Sequence, residues 1–424
     1  MELTNRTEKY PDYEKYLSKL ALRRKKSATA SGHDDRKPVP GQDVPLLAGH
    51  PHADIFPIIG TELILKDGTK LQIGEDQMKV ALQYGSLKGL PELKEWLIEL
   101  VKRLHDPPAW KNTSHPSKLD VLVTAGSLAA IATTFELILD EGDTLLTQNP
   151  TYQTMLCVGE PLGINIVGLP DVDAHGPVPS SLRELLQNWE DKKPNIPRPK
   201  AFYFVPTGDN PRGITWSEDR RRDIYQICHD FDLLILEDDA YYLTQFKRPL
   251  PKTLLSMDVD GRVIRFDSFS KVLAPGFRLG FITAPACYIS KLTLFYQTSR
   301  AVSPYNQVII MSLLRHWGHD RFLKQCVHVT QTYKQKAESL TSFLQKYMSD
   351  VAEWNKPEAG MFLWVKLKYL NDSLPVVTKC LEKGVLLVNG ASNIPHGGSL
   401  ISPFIRMAYS KATEEQMDRV RKKC

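Results

Sequence analysis

The chain has 424 residues, of which 42% are hydrophobic, and its formal net charge is +5. This length suggests two or three domains with a large core, and so small a charge, without a basic run interleaved with aromatic residues, argues against a nucleic-acid-binding protein. No apolar run approaches the roughly 20 residues that cross a bilayer, and the first residues lack the apolar region of a signal peptide, so we expect a cytoplasmic protein that does not span a membrane.

The six cysteines form no CxxC pair and have no regular spacing. This pattern favours reduced thiols over a disulfide framework or a zinc site, and we expect no metal site.

The N-terminal part of the chain alternates between helical and irregular patterns. Residues 1 to about 45 are expected to form an arm, with moderate helical periodicity over 10–24 and a loose polar segment over 27–42. Residues 46–59 are apolar but contain glycine and proline, which favours an extended segment packed on the rest of the chain. Residues 76–104 have helical spacing, interrupted at 84–89.

Strands and helices alternate between residues 119 and 285, which predicts an α/β fold with a mainly parallel sheet covered by helices on both faces. The predicted strands are 119–124, 143–147, 164–169, 201–205, 233–237 and 262–266. The predicted helices are 127–139, 179–190 and 217–231. Ligands in such sheets bind at the carboxyl ends of the strands.

The C-terminal part predicts a smaller α+β domain. Residues 288 to about 348 are amphipathic and helical, and they are followed by predicted strands at 360–367, 386–388 and 404–409 and helices at 374–383 and 413–423. We therefore divide the chain into residues 1–60, an arm with part of the small domain, residues 61–300, the large ligand-binding domain, and residues 301–424, a linking helix with the C-terminal small domain.

Residues 263–281, VIRFDSFSKVLAPGFRLGF, begin as an apolar strand and become polar around Lys271. Burying an ammonium group is costly unless it is paired or neutral, and a desolvated lysine amine becomes neutral when it forms a Schiff base with a carbonyl. Ser268, Ser270 and Arg278 flank this lysine, and arginine binds phosphate oxygens as a planar fork. A carbonyl and a phosphate on one ligand suggest pyridoxal 5'-phosphate (PLP). The alternative is a basic loop of the kind that follows strands in many α/β enzymes.

Two predicted strands end in residues that suit an anion and an aromatic ring. At Gly126-Ser127-Leu128 a strand leads into a helix, whose free N–H groups attract anions, although Ser127 as an ordinary helix cap explains this sequence equally well. Tyr152 follows the next strand, where it could stack on a ring or simply be a core aromatic beside a turn.

Two further strands end in an amide and in carboxylates. Asn210 precedes a proline that holds it extended, so its amide can point into a cleft, although the segment could also be only a turn. Glu237, Asp238 and Asp239 end a very apolar strand, where carboxylates are costly without a positive partner. That partner could be a protonated pyridine nitrogen, a structural salt bridge or a metal ion, and the metal ion is disfavoured because no histidine lies nearby in sequence.

Taken in order, the motifs resemble those of fold-type-I PLP-dependent aminotransferases, and more closely the branch of kynurenine/2-aminoadipate and fungal aromatic aminotransferases. The resemblance is carried by QYGSLKGLPELKEWL, AGS, NPTY, GDNPRG, LEDDAYY, SFSKVLAPGFRLG, AEWNKPEAGMFLWVKL and PFIRMAYS. It implies a three-layer fold whose large domain has a mainly parallel seven-stranded sheet, a smaller α+β domain, PLP as the cofactor, and a homodimer with shared active sites.

The resemblance also implies roles for the matching residues. Lys271 is similar to the Schiff-base lysine, Asp238 to the aspartate that pairs with the pyridine nitrogen, and Tyr241 to a tyrosine that binds the 3'-oxygen of the cofactor. The remaining cofactor-binding residues would be Ser127, Leu128, Tyr152, Asn210, Ser268, Ser270 and Arg278, with Tyr84 from the neighbouring subunit. The substrate would be bound by Arg406, which resembles the arginine that binds the α-carboxylate, and by Asn210, Tyr84 and Phe362.

The chain departs from the family pattern at three places. Asn-Pro-Arg-Gly replaces Asn-Pro-Thr-Gly at Arg212, residues 389–393 replace a Pro-Gly-x-x-Phe pattern, and Leu128-Ala129 stand where polar residues are common. These positions are expected on the substrate side, so the cofactor is better determined than the substrate.

The function implied is transfer of the amino group of an amino acid, expected to be aromatic, to a 2-oxo acid such as 2-oxoglutarate. One alternative is a β-eliminating carbon–sulfur lyase of secondary metabolism on the same fold, which shares Lys271 and Asp238 but releases ammonia. A more remote alternative is a regulator that binds PLP without turnover.

Overall fold

The computed structural model describes residues 12–27, 49–108, 118–298, 301–395 and 401–421. The segments predicted at 1–11 and 28–48 lie outside the described residues. The helices are α1 (Lys19–Arg23), α2 (Glu75–Leu82), α3 (Pro91–His105), α4 (Ser127–Ile138), α5 (Gln153–Gly159), α6 (Pro179–Gln187), α7 (Trp189–Lys192), α8 (Glu218–Asp230), α9 (Leu254–Met257), α10 (Ala286–Tyr296), α11 (Pro304–Tyr347), α12 (Leu374–Glu382) and α13 (Glu414–Arg421).

The strands form a large sheet, a small sheet and two hairpins. They are β1 (Thr61–Ile64), β2 (Lys70–Ile73), β3 (Leu119–Thr124), β4 (Thr144–Thr147), β5 (Asn165–Gly168), β6 (Val172–Asp173), β7 (Gly176–Pro177), β8 (Pro199–Phe204), β9 (Leu234–Asp238), β10 (Val263–Ser268), β11 (Gly280–Pro285), β12 (Ala352–Trp354), β13 (Phe362–Leu367), β14 (Val388–Asn389) and β15 (Phe404–Ala408).

The large sheet has seven strands in the order β3-β11-β10-β9-β8-β4-β5. All neighbouring pairs are parallel except those of β11, which runs antiparallel to both β10 and β3. The predicted fold class, a mainly parallel seven-stranded sheet, is therefore confirmed. The antiparallel strand β11 was not predicted.

Helices cover both faces of this sheet, because its strands are apolar on both sides. On β8, Phe202 and Phe204 pack into one core cluster with Trp216, while Tyr203 packs into the other with Phe135 on α4. Successive strand side chains point to opposite faces, so one strand supplies both layers. The large domain is thus the expected helix–sheet–helix arrangement.

The second half of α11 packs against the small antiparallel sheet, whose order is β12-β13-β15-β14. Ala337, Leu340 and Leu344 of α11 form a buried cluster with Leu363 and Val365 of β13. Gly318 (φ 62°) interrupts the helix, and Phe322 and Cys326, which follow this glycine, still pack in the core of the large domain. This sheet confirms the predicted α+β part of the chain.

Several predicted bounds were wrong. The predicted helix 179–190 is divided, because Asn188 (φ −109°, ψ 34°) leaves helical geometry between α6 and α7. The predicted strand 386–388 begins only at Val388, and the β1–β2 hairpin was missed.

Within the described ranges, none of the helices combines the length and the apolar character needed to cross a membrane. The division at residues 60 and 300 stays a prediction.

Candidate active site

A cavity of about 370 Å³ lies where several strands of the large sheet end and the small sheet begins. Ser127 follows β3, Tyr152 follows β4, Asn210 follows β8, and Asp238 ends β9, while Arg406 comes from β15 of the small sheet. The cavity brings together every predicted site residue except Tyr84, namely Ser127, Leu128, Tyr152, Asn210, Asp238, Tyr241, Ser268, Ser270, Lys271, Arg278, Phe362 and Arg406. Parallel strands explain this convergence, since their carboxyl ends share one edge of the sheet.

Asp238 is the last residue of β9 and is only 5% exposed. Its Oδ2 atom accepts a hydrogen bond of 2.7 Å from Tyr203 Oη, while Oδ1 is buried and has no hydrogen-bond partner among the described residues. Burial raises the pKa of Asp238 to about 7, the Tyr203 hydrogen bond opposes this shift, and Asp239 and Asp267 add to it. A buried carboxylate with one oxygen unsatisfied fits a ligand that brings a positively charged N–H group.

The two neighbouring carboxylates have a different explanation. Arg265 on β10 is fully buried and lies 3.2 Å from Glu237, 3.0 Å from Asp239 and 2.9 Å from Asp267. A structural salt bridge therefore accounts for Glu237 and Asp239, as one of the sequence interpretations allowed. The alternation of side chains along a strand turns Asp238 away from this cluster and towards the cavity.

Lys271 ends a short 3₁₀ turn, Phe269–Lys271, that follows β10. Burial lowers the pKa of its amine, Asp238 opposes this shift, and Arg278 adds to it. An amine with a lowered pKa is more often neutral and hence nucleophilic, as a lysine that forms a Schiff base must be.

The part of the cavity formed by Ser127, Leu128 and Arg278 has the features of an anion site. Helix α4 begins after Gly126 (φ 90°) and has no side-chain cap, so N–H groups of its first turn are left for a ligand. A Cβ atom built on Gly126 would lie 2.8 Å from Arg278 Nη2, which donates a 3.0 Å hydrogen bond to the carbonyl of Ala125. A side chain at position 126 would displace the end of this arginine, so the glycine lets the guanidinium group lie beside the helix end, and the two together fit a phosphate.

Arg406 and its neighbours form the side of the cavity that faces the small sheet. Its Nη1 atom donates a 2.7 Å hydrogen bond to Asn210 Oδ1, and its guanidinium carbon lies 4.5 Å from the centroid of the Phe362 ring. Tyr241 packs edge-on against Phe362, with 6.4 Å between the ring centroids, and burial raises the pKa of the Tyr241 hydroxyl. These contacts fix the plane of the guanidinium group and give it an apolar neighbour.

Tyr84 does not line the cavity within the chain. Its side chain is 74% exposed, and its ring lies 5.7 Å from that of His50. The role of Tyr84 in the site of a neighbouring subunit stays a prediction.

The expectation that the unusual residues face the substrate was wrong for Arg212. This arginine is buried, and its Nε atom donates a 2.8 Å hydrogen bond to Asp209 Oδ2. Asn393 instead joins the two domains: Thr151 N donates to the Asn393 carbonyl over 2.8 Å, and Asn393 Nδ2 donates to the Thr151 carbonyl over 2.9 Å. Of the altered positions, Leu128 does line the cavity.

Some residues of the cavity were missed by the sequence analysis. Gln153, Thr154, Val205 and Ala240 also line it. The first two directly follow Tyr152, so their position after β4 was a usable signal. Tyr203, which donates a hydrogen bond to Asp238, was also missed. It belongs to the apolar sequence AFYF, which gave no indication of a polar role.

PLP has a carbonyl, a phosphate and a ring nitrogen, and the cavity has a chemically suitable group for each. These are the desolvated amine of Lys271, the uncapped helix end beside Arg278, and the unsatisfied oxygen of Asp238. The residues present therefore fit this cofactor.

Comparisons with known proteins point to the same chemistry. The family model described as aminotransferase class I and II matches residues 62–423. The chain is 37% identical over 412 residues to the mitochondrial kynurenine/alpha-aminoadipate aminotransferase of Bos taurus, with 96% of each chain covered.

Solved structures are similar over nearly as much of the chain. The aromatic aminotransferase Aro9 from Candida albicans has a TM-score of 0.85 and 25% identity, covering 98% of this chain and 97% of that one. The kynurenine aminotransferase of Pyrococcus horikoshii, solved in complex with PMP, has a TM-score of 0.74 and 27% identity, with 82% of each chain covered. With a family match over most of its length and a cavity that suits PLP, the chain belongs to the class I and II aminotransferases, PLP-dependent enzymes whose substrates are an amino acid and an oxo acid.

Proposed function

We propose that this aminotransferase takes the amino group from an aromatic amino acid and delivers it to a 2-oxo acid such as 2-oxoglutarate. The observation that carries the proposal is the hydrogen bond between Arg406 and Asn210, which holds a guanidinium fork above the Phe362 ring. A guanidinium group in a fixed plane suits a carboxylate, and Phe362 with Tyr241 offers an aromatic side chain an edge to pack on. The names of the Candida albicans and Pyrococcus horikoshii relatives support an aromatic substrate.

When bound, PLP supplies the reactive carbonyl and the electron-accepting ring of transamination. Asp238 would pair with the ring nitrogen, Tyr152 would cover the ring, and Tyr241 and Asn210 would donate hydrogen bonds to its oxygen. Ser127, Leu128, Ser268, Ser270 and Arg278 would bind the phosphate.

The proton transfers fall to Lys271. Lys271 and Arg406 line the same cavity, and the lowered pKa of the lysine would let its neutral amine accept a proton from the α-carbon of the substrate. Arg406 would hold the carboxylate so that this carbon stays within reach of the amine.

Replacement of Lys271 tests the proposed role directly. We expect Lys271→Ala to abolish turnover while the protein stays folded, with a loss of about 10⁴-fold. Lys247, which is 79% exposed and pairs with Glu358, provides the control, since Lys247→Ala leaves the cavity untouched. Retained transamination in Lys271→Ala would refute the assignment.

The substrate is tested by a screen of amino donors against 2-oxoglutarate, read from cofactor absorbance in half-reactions. Aromatic donors are expected to react with the highest kcat/KM. The same samples, assayed for ammonia without an oxo acid, test the lyase alternative, because β-elimination releases ammonia and transamination does not. A protein that binds PLP but reacts with no donor would instead favour the regulator.

We also propose a homodimer in which Tyr84 reaches the site of the partner. The support is its high exposure together with that of Ile58, Ile59 and Val80, large apolar side chains that a second copy would cover. Mixing Lys271→Ala chains with Tyr84→Ala chains tests this arrangement, because each mixed dimer would regain one native site. Activity that stays absent after subunit exchange would contradict the sharing of active sites between subunits.

The cytoplasmic location stays a prediction, which microscopy of a tagged protein tests.

A further inference from the structure

Tyr203 makes the one hydrogen bond to the side chain of Asp238 that occurs within the described ranges. It lies on β8, beside β9, and its side chain is fully buried. Its hydroxyl donates to Asp238 Oδ2 over 2.7 Å, and its ring packs edge-on against Phe135 at 6.2 Å. Because two neighbouring elements hold the ring, the position of the hydroxyl is set by the fold.

The two oxygens of Asp238 therefore have different surroundings. Oδ2 is occupied by the Tyr203 hydroxyl, whereas Oδ1 has no partner in the described part of the chain. Rotation of the carboxylate would break the bond to Tyr203 and leave a buried hydroxyl unsatisfied, which costs free energy. The carboxylate is thus fixed with Oδ1 as the oxygen available to a ligand.

We propose that Tyr203 is a positioning residue for transamination: by donating to Oδ2 it presents Oδ1 to the cofactor and keeps the shared proton on the ring nitrogen. This inference rests on the proposed pairing of Asp238 with that nitrogen. Without the hydroxyl, the proton would leave the nitrogen and bind Asp238 Oδ1, and no other bond would change. A neutral ring is a weaker electron acceptor, so the reaction would slow.

The other groups around Asp238 make this donor important. Asp239 and Asp267 disfavour its negative charge, while Arg265 on β10 and Lys271 in the turn after it favour it, and the nearby Tyr152 and Tyr241 stay uncharged because burial raises the pKa of each hydroxyl. Burial affects the pKa of Asp238 more than the two cations do and raises it to about 7. A large fraction of the carboxyl groups is therefore protonated near neutral pH. The loss of one hydrogen bond to the charged form is then enough to move the proton.

The experiment compares Tyr203→Phe with wild-type holoenzyme reconstituted with PLP labelled with ¹⁵N at the ring nitrogen. We expect the ¹⁵N NMR signal to move towards the unprotonated pyridine, and the half-reaction with an amino acid to slow by about tenfold. Tyr288→Phe is the matched control, since Tyr288 is equally buried and its hydroxyl has no hydrogen-bond partner among the described residues. It should leave both measurements unchanged.

The failure of this inference can be distinguished from that of the proposed function. Asp238→Asn, measured in parallel, should move the signal strongly if Asp238 pairs with the nitrogen. A signal that moves in Asp238→Asn but not in folded Tyr203→Phe overturns the role of Tyr203 alone, and one that moves in neither overturns the pairing itself. If Tyr203→Phe does not fold, 3-fluorotyrosine at position 203 keeps the ring and strengthens the donor. It should move the signal the opposite way, and an unmoved signal there overturns the proposal.

Discussion

Arg406 and Asn210 come from different sheets, yet Arg406 Nη1 donates a 2.7 Å hydrogen bond to Asn210 Oδ1. The bond joins β15 of the small sheet to the loop after β8 of the large sheet, and it leaves the remaining N–H groups of the guanidinium for a ligand. Burial lowers the pKa of Arg406, which reflects a partly desolvated cation without a carboxylate partner among the described residues. The carboxylate of an amino acid would supply that partner.

Replacement by lysine should weaken substrate binding. A lysine keeps the charge of Arg406 but cannot donate two parallel hydrogen bonds, so we expect Arg406→Lys to raise KM for the amino donor about tenfold to hundredfold. Stopped-flow half-reactions measure this change. Arg103→Lys, at a half-exposed arginine paired with Glu99, should leave KM unchanged. Equal KM values in all three proteins would remove Arg406 from the substrate site.

Gly126 should be needed for cofactor binding and not only for the backbone. A methyl group at this position would lie 2.8 Å from Arg278 Nη2, so Gly126→Ala is expected to weaken PLP binding at least about tenfold by displacing the arginine. Gly142 has a similar φ of 84° with open space around it, so Gly142→Ala carries the same backbone strain without the clash. Both variants should lose stability in thermal unfolding, and only Gly126→Ala should lose PLP in equilibrium binding. Unchanged binding in both would contradict the phosphate assignment.

The stability of the enzyme without cofactor should depend on pH through Asp238. Its pKa is raised from 3.8 to about 7 by burial, so the folded chain keeps a proton that the unfolded chain releases between these values. Stability contributed by this group is therefore lost as pH rises from about 4 to 7. Between pH 5 and pH 7 the wild type should lose about 2 kcal/mol relative to Asp238→Asn, in which the group cannot ionise. Urea unfolding at the two pH values measures this difference, and parallel pH profiles would show that Asp238 is ionised throughout.

Arg265 should contribute strongly to stability. Arg265→Met leaves Glu237 and Asp267 buried without a cation and Asp239 with only Arg221, 3.9 Å away, and breaking such a cluster costs about 3–5 kcal/mol in the free energy of unfolding. Arg222→Met removes an exposed arginine that pairs with Asp219, and it should change stability little. Urea unfolding of both variants provides the comparison. A variant at position 265 as stable as the wild type would mean that the three acids are neutral.

Much of the site could be predicted from sequence because its residues follow apolar strands. Asp238 ends a strand that periodicity identifies, Lys271 follows another within three residues, and parallel strands bring such ends together. Arg265 and Tyr203 could not be assigned in this way. Glu237, a partner of Arg265, and Asp238, the partner of Tyr203, lie on the neighbouring strand β9, so these roles depend on the strand order, which periodicity does not supply.

The antiparallel strand β11 was missed although the chain contains an indication of it. The connection from Ser268 to Gly280 is too short for a crossover helix, and a parallel neighbour requires one.

The role of Arg212 was misjudged for another reason. Its partner Asp209 lies only three residues away, and this local pair turns the arginine into the core instead of towards the substrate.

The reciprocal hydrogen bonds between Thr151 and Asn393 constrain how the two domains can move. Thr151 immediately precedes Tyr152, and Asn393 lies in the segment between β14 and β15, the strand of Arg406. Any rigid-body rotation of the small sheet that preserves these bonds must carry the Tyr152 loop with it. The side chain assigned to the cofactor ring and the side chain assigned to the substrate carboxylate would therefore be displaced together, so that a domain motion would reach both ligands in a single step.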